Sequence, residues 1–348
     1  MLNDIVKPLT EWYRQNKRSL PWRDRHNAYY TWVSEIMLQQ TRVEAVKPYF
    51  RRFTEELPDP AALAECPEEK LLKLWEGLGY YNRVRNMQIA AQTVVEEYDG
   101  VLPASYEKLL SLKGIGSYTA GAIASIAYDI PVPAVDGNVL RVITRIIEYD
   151  GDIMKQSVKK RIENKLQEIM PGECPGDFNQ ALMELGAVVC VPNGEPKCDV
   201  CPVAFCCGAR AHGTIDRFPV KAQKKDRKLE DRTVLVIQDG EKTAIRRRPS
   251  RGLLAGLYEL PNLKGHLSEE EVLESVKAMD LEPLRIEALP EAKHIFSHIE
   301  WRMTAYRVRV SSLEEIRQND LLFVGKRQSD DQYAIPSAFS AYTKYIRE

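Results

Sequence analysis

The tightest constraint in this chain is the Gly114-Ile115-Gly116 hairpin, set between helical patterns over 105–112 and 117–128. Two glycines so placed let the backbone turn sharply and leave nothing protruding from its bare N–H groups. The following helix opens at the same point, so its positive dipole end faces any anion the hairpin holds. The pattern predicts a phosphate cradle built from Lys113, Gly114, Gly116 and Ser117. Twenty residues after Gly116 a lone acid, Asp136, follows in the segment Val135-Asp136-Gly137-Asn138. A phosphate cradle followed by a placed carboxylate points to chemistry on a nucleic acid rather than binding alone.

The helical period runs almost unbroken to about residue 210. Helices are predicted near 3–16, 28–39, 42–56, 60–65, 68–75, 83–98, 105–112, 117–128, 137–148, 155–169 and 177–188. Thr41 and Glu44 have the spacing of a capping box, and Pro67-Glu68-Glu69 reads as a helix start. Residues 221–232 are charged and poor in apolar side chains. Beyond them the period changes to strands at 233–237, 243–247 and 304–310, a turn at Asp239-Gly240, and one helix over 268–279. The expected architecture is an all-α domain over 1–216, a linker over 217–232 and a mixed α+β domain over 233–348. A length of 348 residues suits two domains.

Lysine and arginine total 49 against 50 acids, a net charge of −1. Nucleic-acid contact must therefore come from local patches and oriented backbone dipoles, not from bulk charge. No apolar run approaches the roughly 18 residues needed to cross a bilayer. The opening residues lack the layout of a signal or transit peptide. The expectation is a cytoplasmic, nucleoid-associated protein with no membrane partner.

Five of the seven cysteines fall within 190–207. Such clustering reads as a metal site, since a disulfide framework spreads its cysteines along a small secreted chain. Seven residues separate Cys190 from Cys198, two separate Cys198 from Cys201, and Cys206 adjoins Cys207. A zinc ribbon pairs two short knuckles; these gaps are closer to a four-cysteine iron–sulfur loop. Cys190, Cys198, Cys201 and Cys207 are the expected ligands, with Cys206 a neighbour.

Together these features resemble the helix-hairpin-helix DNA glycosylases of the endonuclease III superfamily, and most closely their adenine DNA glycosylase branch, the MutY family. The resemblance spans nearly the whole chain. It is carried by Val33-Ser34-Glu35-Ile36-Met37-Leu38-Gln39-Gln40-Thr41, by Gly77-Leu78-Gly79-Tyr80-Tyr81, by Gly114 to Tyr118, by Val135 to Asn138 and by the cysteine loop. That loop holds one residue more between its first two ligands than the family's typically does, an insertion Gly194 can absorb. The resemblance implies one 4Fe-4S cluster and an all-α helix-hairpin-helix glycosylase domain followed by a Nudix-like α+β domain. It also implies a monomer acting on double-stranded DNA with adenine opposite 8-oxoguanine or guanine, leaving an abasic site for base-excision repair.

Removing a base needs a proton for the leaving group and negative charge beside the cationic sugar, a division of labour between two carboxylates. Glu35 lies among Trp32, Val33, Ile36, Met37 and Leu38, where desolvation favours the protonated acid. Asp136 sits at a helix start, where N–H groups and the dipole favour the anion. The resemblance implies that Glu35 protonates the adenine ring and helps activate water. It implies that Asp136 stabilises, or transiently bonds to, the sugar's cationic carbon, with Tyr118 and Asn138 in support. Bifunctional relatives carry a lysine where Tyr118 stands; a phenol cannot form their Schiff base, so a monofunctional enzyme is expected. Gln40 and Tyr80 resemble residues that wedge into the duplex while the target base flips out. Arg18, Arg23 and Arg83 are candidate phosphate contacts.

Residues 246–261 resemble the entrance of a Nudix domain, but the Arg-Glu-x-x-Glu-Glu core that binds magnesium is missing after Gly265. The acidic run 269–271 reads as a solvated helix start, and diphosphate hydrolysis is not expected. In the adenine glycosylase branch the equivalent domain reads 8-oxoguanine, and Phe296, Ser297 and His298 fall where its reading loop should be. Two other readings compete: a pyrimidine-specific glycosylase or lyase of the same fold, and a non-catalytic iron–sulfur DNA-binding protein.

Overall fold

The structure, a computed structural model, describes residues 2–23, 27–222, 226–311 and 320–346. Its helical part comprises α1 (Val6–Asn16), α2 (Ala28–Leu38), α3 (Val43–Glu56), α4 (Pro60–Glu65), α5 (Glu68–Leu74) and α6 (Asn82–Glu97). It continues with α7 (Tyr106–Ser111), α8 (Ser117–Tyr128), α9 (Gly137–Ile146), α10 (Gln156–Gln167), α11 (Pro175–Val188) and the short α12 (Gly208–Ala211). Each predicted helix is present, shifted by at most a few residues at its ends. Caps explain several starts: the side chains of Asn27, Ser105 and Asp136 accept from the backbone N–H groups of Tyr30, Lys108 and Val139. The Thr41–Glu44 capping box does not form. Helix α3 opens two residues after Thr41, with Arg42 at its cap, and Glu44 bonds Lys47 at 2.8 Å instead.

Two features of the helical unit position its chemistry. Helix α2 is buried on nearly all its faces, including Trp32, Val33, Ile36 and Met37, so any acid on it is buried too. Gly121 lets α8 lie against the chain leading to Asp136: a Cβ there would sit 2.3 Å from the Pro133 carbonyl oxygen. The core behind them gathers Leu9 and Tyr13 of α1, Val139 and Ile143 of α9, and Phe178 and Leu182 of α11. Burying each such side chain is worth roughly 1.5–3 kcal/mol.

The sheet contains β1 (Lys228–Asp239), β2 (Lys242–Arg247), β3 (Tyr258–Glu259), β4 (Asn262–Lys264), β5 (Pro283–Ile295), β6 (Ile299–Val310) and β7 (Leu321–Val324). Its order is β3-β2-β1-β6-β5, with β4 also on β1 and β7 on β2; β1 and β6 run parallel, and the other pairs among the described residues are antiparallel. Val234 and Val236 pack with Trp301, Met303 and Phe339 on one face. Leu235 and Ile237 pack on the other with Val308 and with Val272 and Val276 of α13 (Glu269–Lys277). Coverage of both faces explains the continuous apolar run of β1. Ser268 and Glu271 form a capping box at α13, so the acidic run is a helix start. Helices α14 (Lys326–Gln332) and α15 (Ser340–Thr343) follow the last strand.

Contacts divide the chain into two compact units, 1–65 with 85–223 and 66–84 with 224–348. The division departs from the expected boundaries at two places. Segment 66–84 joins the sheet unit because Glu69 accepts from the Tyr258 hydroxyl, Lys73 donates to the Tyr333 carbonyl and Glu76 accepts from the Ile335 N–H. The expected linker 217–232 is structured at both ends: Phe218 is buried, and β1 begins at Lys228.

Candidate active site

A cleft of about 1120 Å³ opens in the helical unit, with Glu35, Tyr118, Asp136 and Asn138 in its wall. Glu35 is only 7% exposed. Burial pushes its carboxyl up to about 7, against a hydrogen bond from Tyr118, with the charge of Asp136 adding to the rise. The Tyr118 hydroxyl donates to Glu35 Oε2 and lies 3.9 Å from Met183 Sδ.

Asp136 caps α9, accepting from the Val139 N–H at 2.8 Å through Oδ1 and from the Asn138 amide at 2.7 Å through Oδ2. The expectation of an environment that simply favours its anion is corrected here. Burial raises the Asp136 carboxyl above its ordinary value, and its hydrogen bonds and Arg141 only partly offset that rise. Both acids are thus raised by burial, and Asp136 has more partners that stabilise its charged form. Arg141 extends the set, donating to Asn138 Oδ1, the Gly186 carbonyl and the Cys190 carbonyl at 2.9, 2.8 and 2.8 Å.

Two of the three arginines expected at phosphates, Arg18 and Arg23, have internal partners. Arg18 and Arg23 bond the buried Glu184 at 2.6 and 2.8 Å, and Arg23 also reaches Gln180 at 3.1 Å. Burial works against Glu184's charge, yet the two guanidiniums hold its carboxyl below the ordinary value. Glu184, Gln180 and Met183 all line the cleft, and no sequence signal singled them out. They lie on one face of α11 at the spacing of helical neighbours, which is where a signal existed. Gln40, also at the cleft, is exposed with a left-handed backbone at φ 62°.

At the hairpin, Gly114 has φ 80°, and a Cβ there would sit 2.7 Å from Asn86 Cβ. Gly116 caps α8 and, having no side chain, makes no side-chain cap to its first N–H groups, as an anion cradle needs. Lys113 is exposed. The Ser117 hydroxyl, however, donates to the buried Glu163 at 2.9 Å, so Ser117 offers its backbone to a ligand rather than its side chain.

Cys190, Cys198, Cys201 and Cys207 all line one small cavity of about 30 Å³, together with Arg145 and Arg210. Cys206 does not line it; its thiol turns to the Val203 carbonyl. Arg145 donates to Cys190 Sγ at 3.3 Å. Burial pushes the Cys201 thiol up to about 12 and raises those of Cys198 and Cys207. Among the described residues no three such side chains are close enough for a single metal ion. Four cysteines lining one small cavity form a candidate site for a thiolate-bound group. Gly194, in the loop between Cys190 and Cys198, has a positive φ of 75°.

In the sheet unit, Phe296, Ser297 and His298 form the turn between β5 and β6. Ser297 and His298 are exposed, while Phe296 is half-buried, edge-on to Trp301 at 5.0 Å and to His294 at 4.6 Å. Tyr80 is 49% exposed, and its hydroxyl lies 2.8 Å from Ser297 Oγ. Arg83 is turned inward, donating to the Leu78 and Gly79 carbonyls at 3.0 and 3.1 Å, which corrects its assignment as a phosphate contact.

Comparison with known proteins fits this geometry. Residues 33–171 match the HhH-GPD superfamily of base excision DNA repair proteins, and residues 233–345 match the NUDIX domain. The adenine DNA glycosylase of Mus musculus is 36% identical, the alignment covering 86% of this chain and 69% of that protein. That of Buchnera aphidicola subsp. Acyrthosiphon pisum is 31% identical over 87% of this chain and 86% of its own. This chain belongs to the adenine DNA glycosylase family. A thermostable thymine-DNA glycosylase has the fold of the helical part, with a TM-score of 0.54 and 25% identity, covering 60% of this chain and 96% of its own. A trapped endonuclease III–DNA covalent intermediate shares that fold at a TM-score of 0.52 and 23% identity, covering 61% of this chain and 96% of its own. As a family member the chain is a DNA N-glycosylase of base excision repair with a C-terminal Nudix-like domain.

Proposed function

We propose that this chain excises adenine opposite 8-oxoguanine in double-stranded DNA and stops at the abasic site. The observation that carries the reading is Glu35, raised to about 7, beside Asp136 in one cleft. The flipped adenine enters the cleft, and Glu35 gives its proton to a ring nitrogen. The bond from the sugar's anomeric carbon to the base breaks, its electron pair leaving with adenine. The Asp136 carboxylate faces the cation that remains. Glu35, now ionised, takes a proton from the water that adds to the anomeric carbon. Tyr118 donates to Glu35 Oε2, which leaves Oε1 to carry the moving proton. Because Tyr118 has no amine, the sugar is released as an abasic site and the strand stays whole.

The cleft supports this reading on the helical side, and the exposed Ser297 and His298 support recognition of the lesion. The protein works as a monomer at the nucleoid in this reading. Cys190, Cys198, Cys201 and Cys207 would hold a 4Fe-4S cluster. Such a cluster supplies a rigid cross-link of the loop and, in other settings, electron transfer. Cys207→Ser is expected to lose most of the bound iron and the charge-transfer absorption of the purified protein, whereas Cys206→Ser keeps both. Equal loss in the two variants would put the fourth ligand elsewhere.

The direct test uses duplexes with adenine opposite 8-oxoguanine, guanine or thymine, treated with enzyme and then hot alkali. Cleavage at adenine in the first two, fastest opposite 8-oxoguanine, is the expected result, with no strand cut before alkali and no borohydride-trapped adduct. A trapped adduct would reveal a lyase, and an intact adenine strand would refute the reading.

A further inference from the structure

The loop before α6 holds three backbone positions with positive φ: Gly77 at 97°, Gly79 at 68° and Tyr80 at 48°. A tyrosine adopts that conformation at a cost, and keeps it only where its surroundings over-determine it. Arg83 supplies those surroundings. One terminal nitrogen donates to the Leu78 carbonyl at 3.0 Å and to the Gly79 carbonyl at 3.1 Å. The guanidinium also lies 5.3 Å from the Trp75 ring centre and 5.6 Å from that of Tyr80. Trp75 Nε1 donates to the same Gly79 carbonyl at 3.0 Å. The Arg83 N–H closes the turn on the Tyr80 carbonyl at 2.8 Å. Burial lowers the Arg83 guanidinium to about 10, so it keeps its charge at neutral pH.

What this clamp delivers is the position of the Tyr80 hydroxyl, 2.8 Å from Ser297 in the turn between β5 and β6. We propose that Arg83 is a positioning residue for lesion recognition: it fixes Tyr80 against the Ser297 turn and thereby sets the preference for adenine opposite 8-oxoguanine over adenine opposite guanine. The inference rests on the function proposed above. Arginine suits the task because its planar fork can donate to two carbonyls while its faces meet two rings. Lysine would keep the charge and hydrogen-bond donors but not the planar stack on the rings.

The experiment compares single-turnover excision from the 8-oxoguanine and guanine duplexes by wild type, Arg83→Met and Arg83→Lys, each with and without Tyr80→Ala. Arg83→Met is expected to lower the 8-oxoguanine-to-guanine rate ratio by about tenfold. Arg83→Lys should lower it less, and neither should change the ratio further once Tyr80 is alanine. Melting curves verify that each variant is folded; if Arg83→Met is not, Arg83→Lys alone carries the comparison, and an unchanged ratio there overturns the proposal. An effect of equal size with and without Tyr80 also overturns it. So does weaker binding to every duplex with a salt slope smaller by about one, the mark of a lost phosphate contact. A wild type without preference for 8-oxoguanine would instead refute the function proposed above, before any variant is compared.

Discussion

Replacing Glu35 by glutamine is expected to slow single-turnover excision by about 10²–10⁴-fold, the usual worth of a positioned general acid. Glutamine keeps the volume and can accept the Tyr118 hydrogen bond, so DNA affinity should stay near that of wild type. The pH profile carries an independent check. Glu35 acts as a proton donor and is raised to about 7, so the wild-type rate should fall as pH rises through that value. The stability effect has the opposite benefit. Between its ordinary 4.5 and about 7 the folded chain retains a proton that the unfolded chain has lost. Stability contributed by this group is therefore full below the lower value and declines as pH climbs through the window. Glu35→Gln should melt higher than wild type at pH 8 and lose that advantage at pH 4. Retained excision in Glu35→Gln would remove Glu35 from the mechanism, and an unchanged melting point at pH 8 would show that its burial is not costly.

The residues that could be read in advance were those whose own neighbours in sequence create their environment. Trp32, Val33, Ile36, Met37 and Leu38 surround Glu35 in sequence, so the local sequence already predicted a desolvated acid. Asp136 announced itself as a cap because a cap is a local hydrogen bond, here to Val139 three residues on. What could not be read was anything depending on a distant partner. Arg18 and Arg23 look like surface cations in sequence, and only the fold brings Glu184 to them across more than 160 residues. Ser117 lost its hydroxyl to Glu163 in the same way. In the sheet, β5 escaped detection because it is an edge strand with most side chains in water, so its period-two signal is weak. The failure of the Thr41–Glu44 box has a smaller cause: the chain after Gln40 is still turning out of α2, and α3 begins only at Val43. Segment 66–84 shows the limit most sharply, since its helical pattern says nothing of its partners Tyr258, Tyr333 and Ile335.

Asp136→Asn is the variant that separates electrostatics from architecture. Asparagine is as good an N-cap as aspartate, so the Val139 N–H keeps an acceptor and α9 keeps its start. The negative charge facing the sugar is lost, and with it stabilisation that exists only as the cation forms. A preorganised charge of this kind is worth about 10²–10³-fold in rate, here expected as lost turnover with little change in affinity. Removing the like charge beside Glu35 should also lower the Glu35 carboxyl, because the field of Asp136 helps to raise it. Residual activity in Asp136→Asn should therefore fall off at a lower pH than in wild type. Arg141→Gln tests the same charge from behind. Arg141 holds the Asn138 carbonyl oxygen, and Asn138 in turn donates to Asp136, so a displaced Asn138 leaves the carboxylate with one partner fewer. Its rate should lie between those of wild type and Asp136→Asn, and adding it to Asp136→Asn should cost little more, since both changes weaken the same anion. Full activity in Asp136→Asn, or fully additive losses in the pair, would mean that the anion at position 136 does not face the reacting sugar.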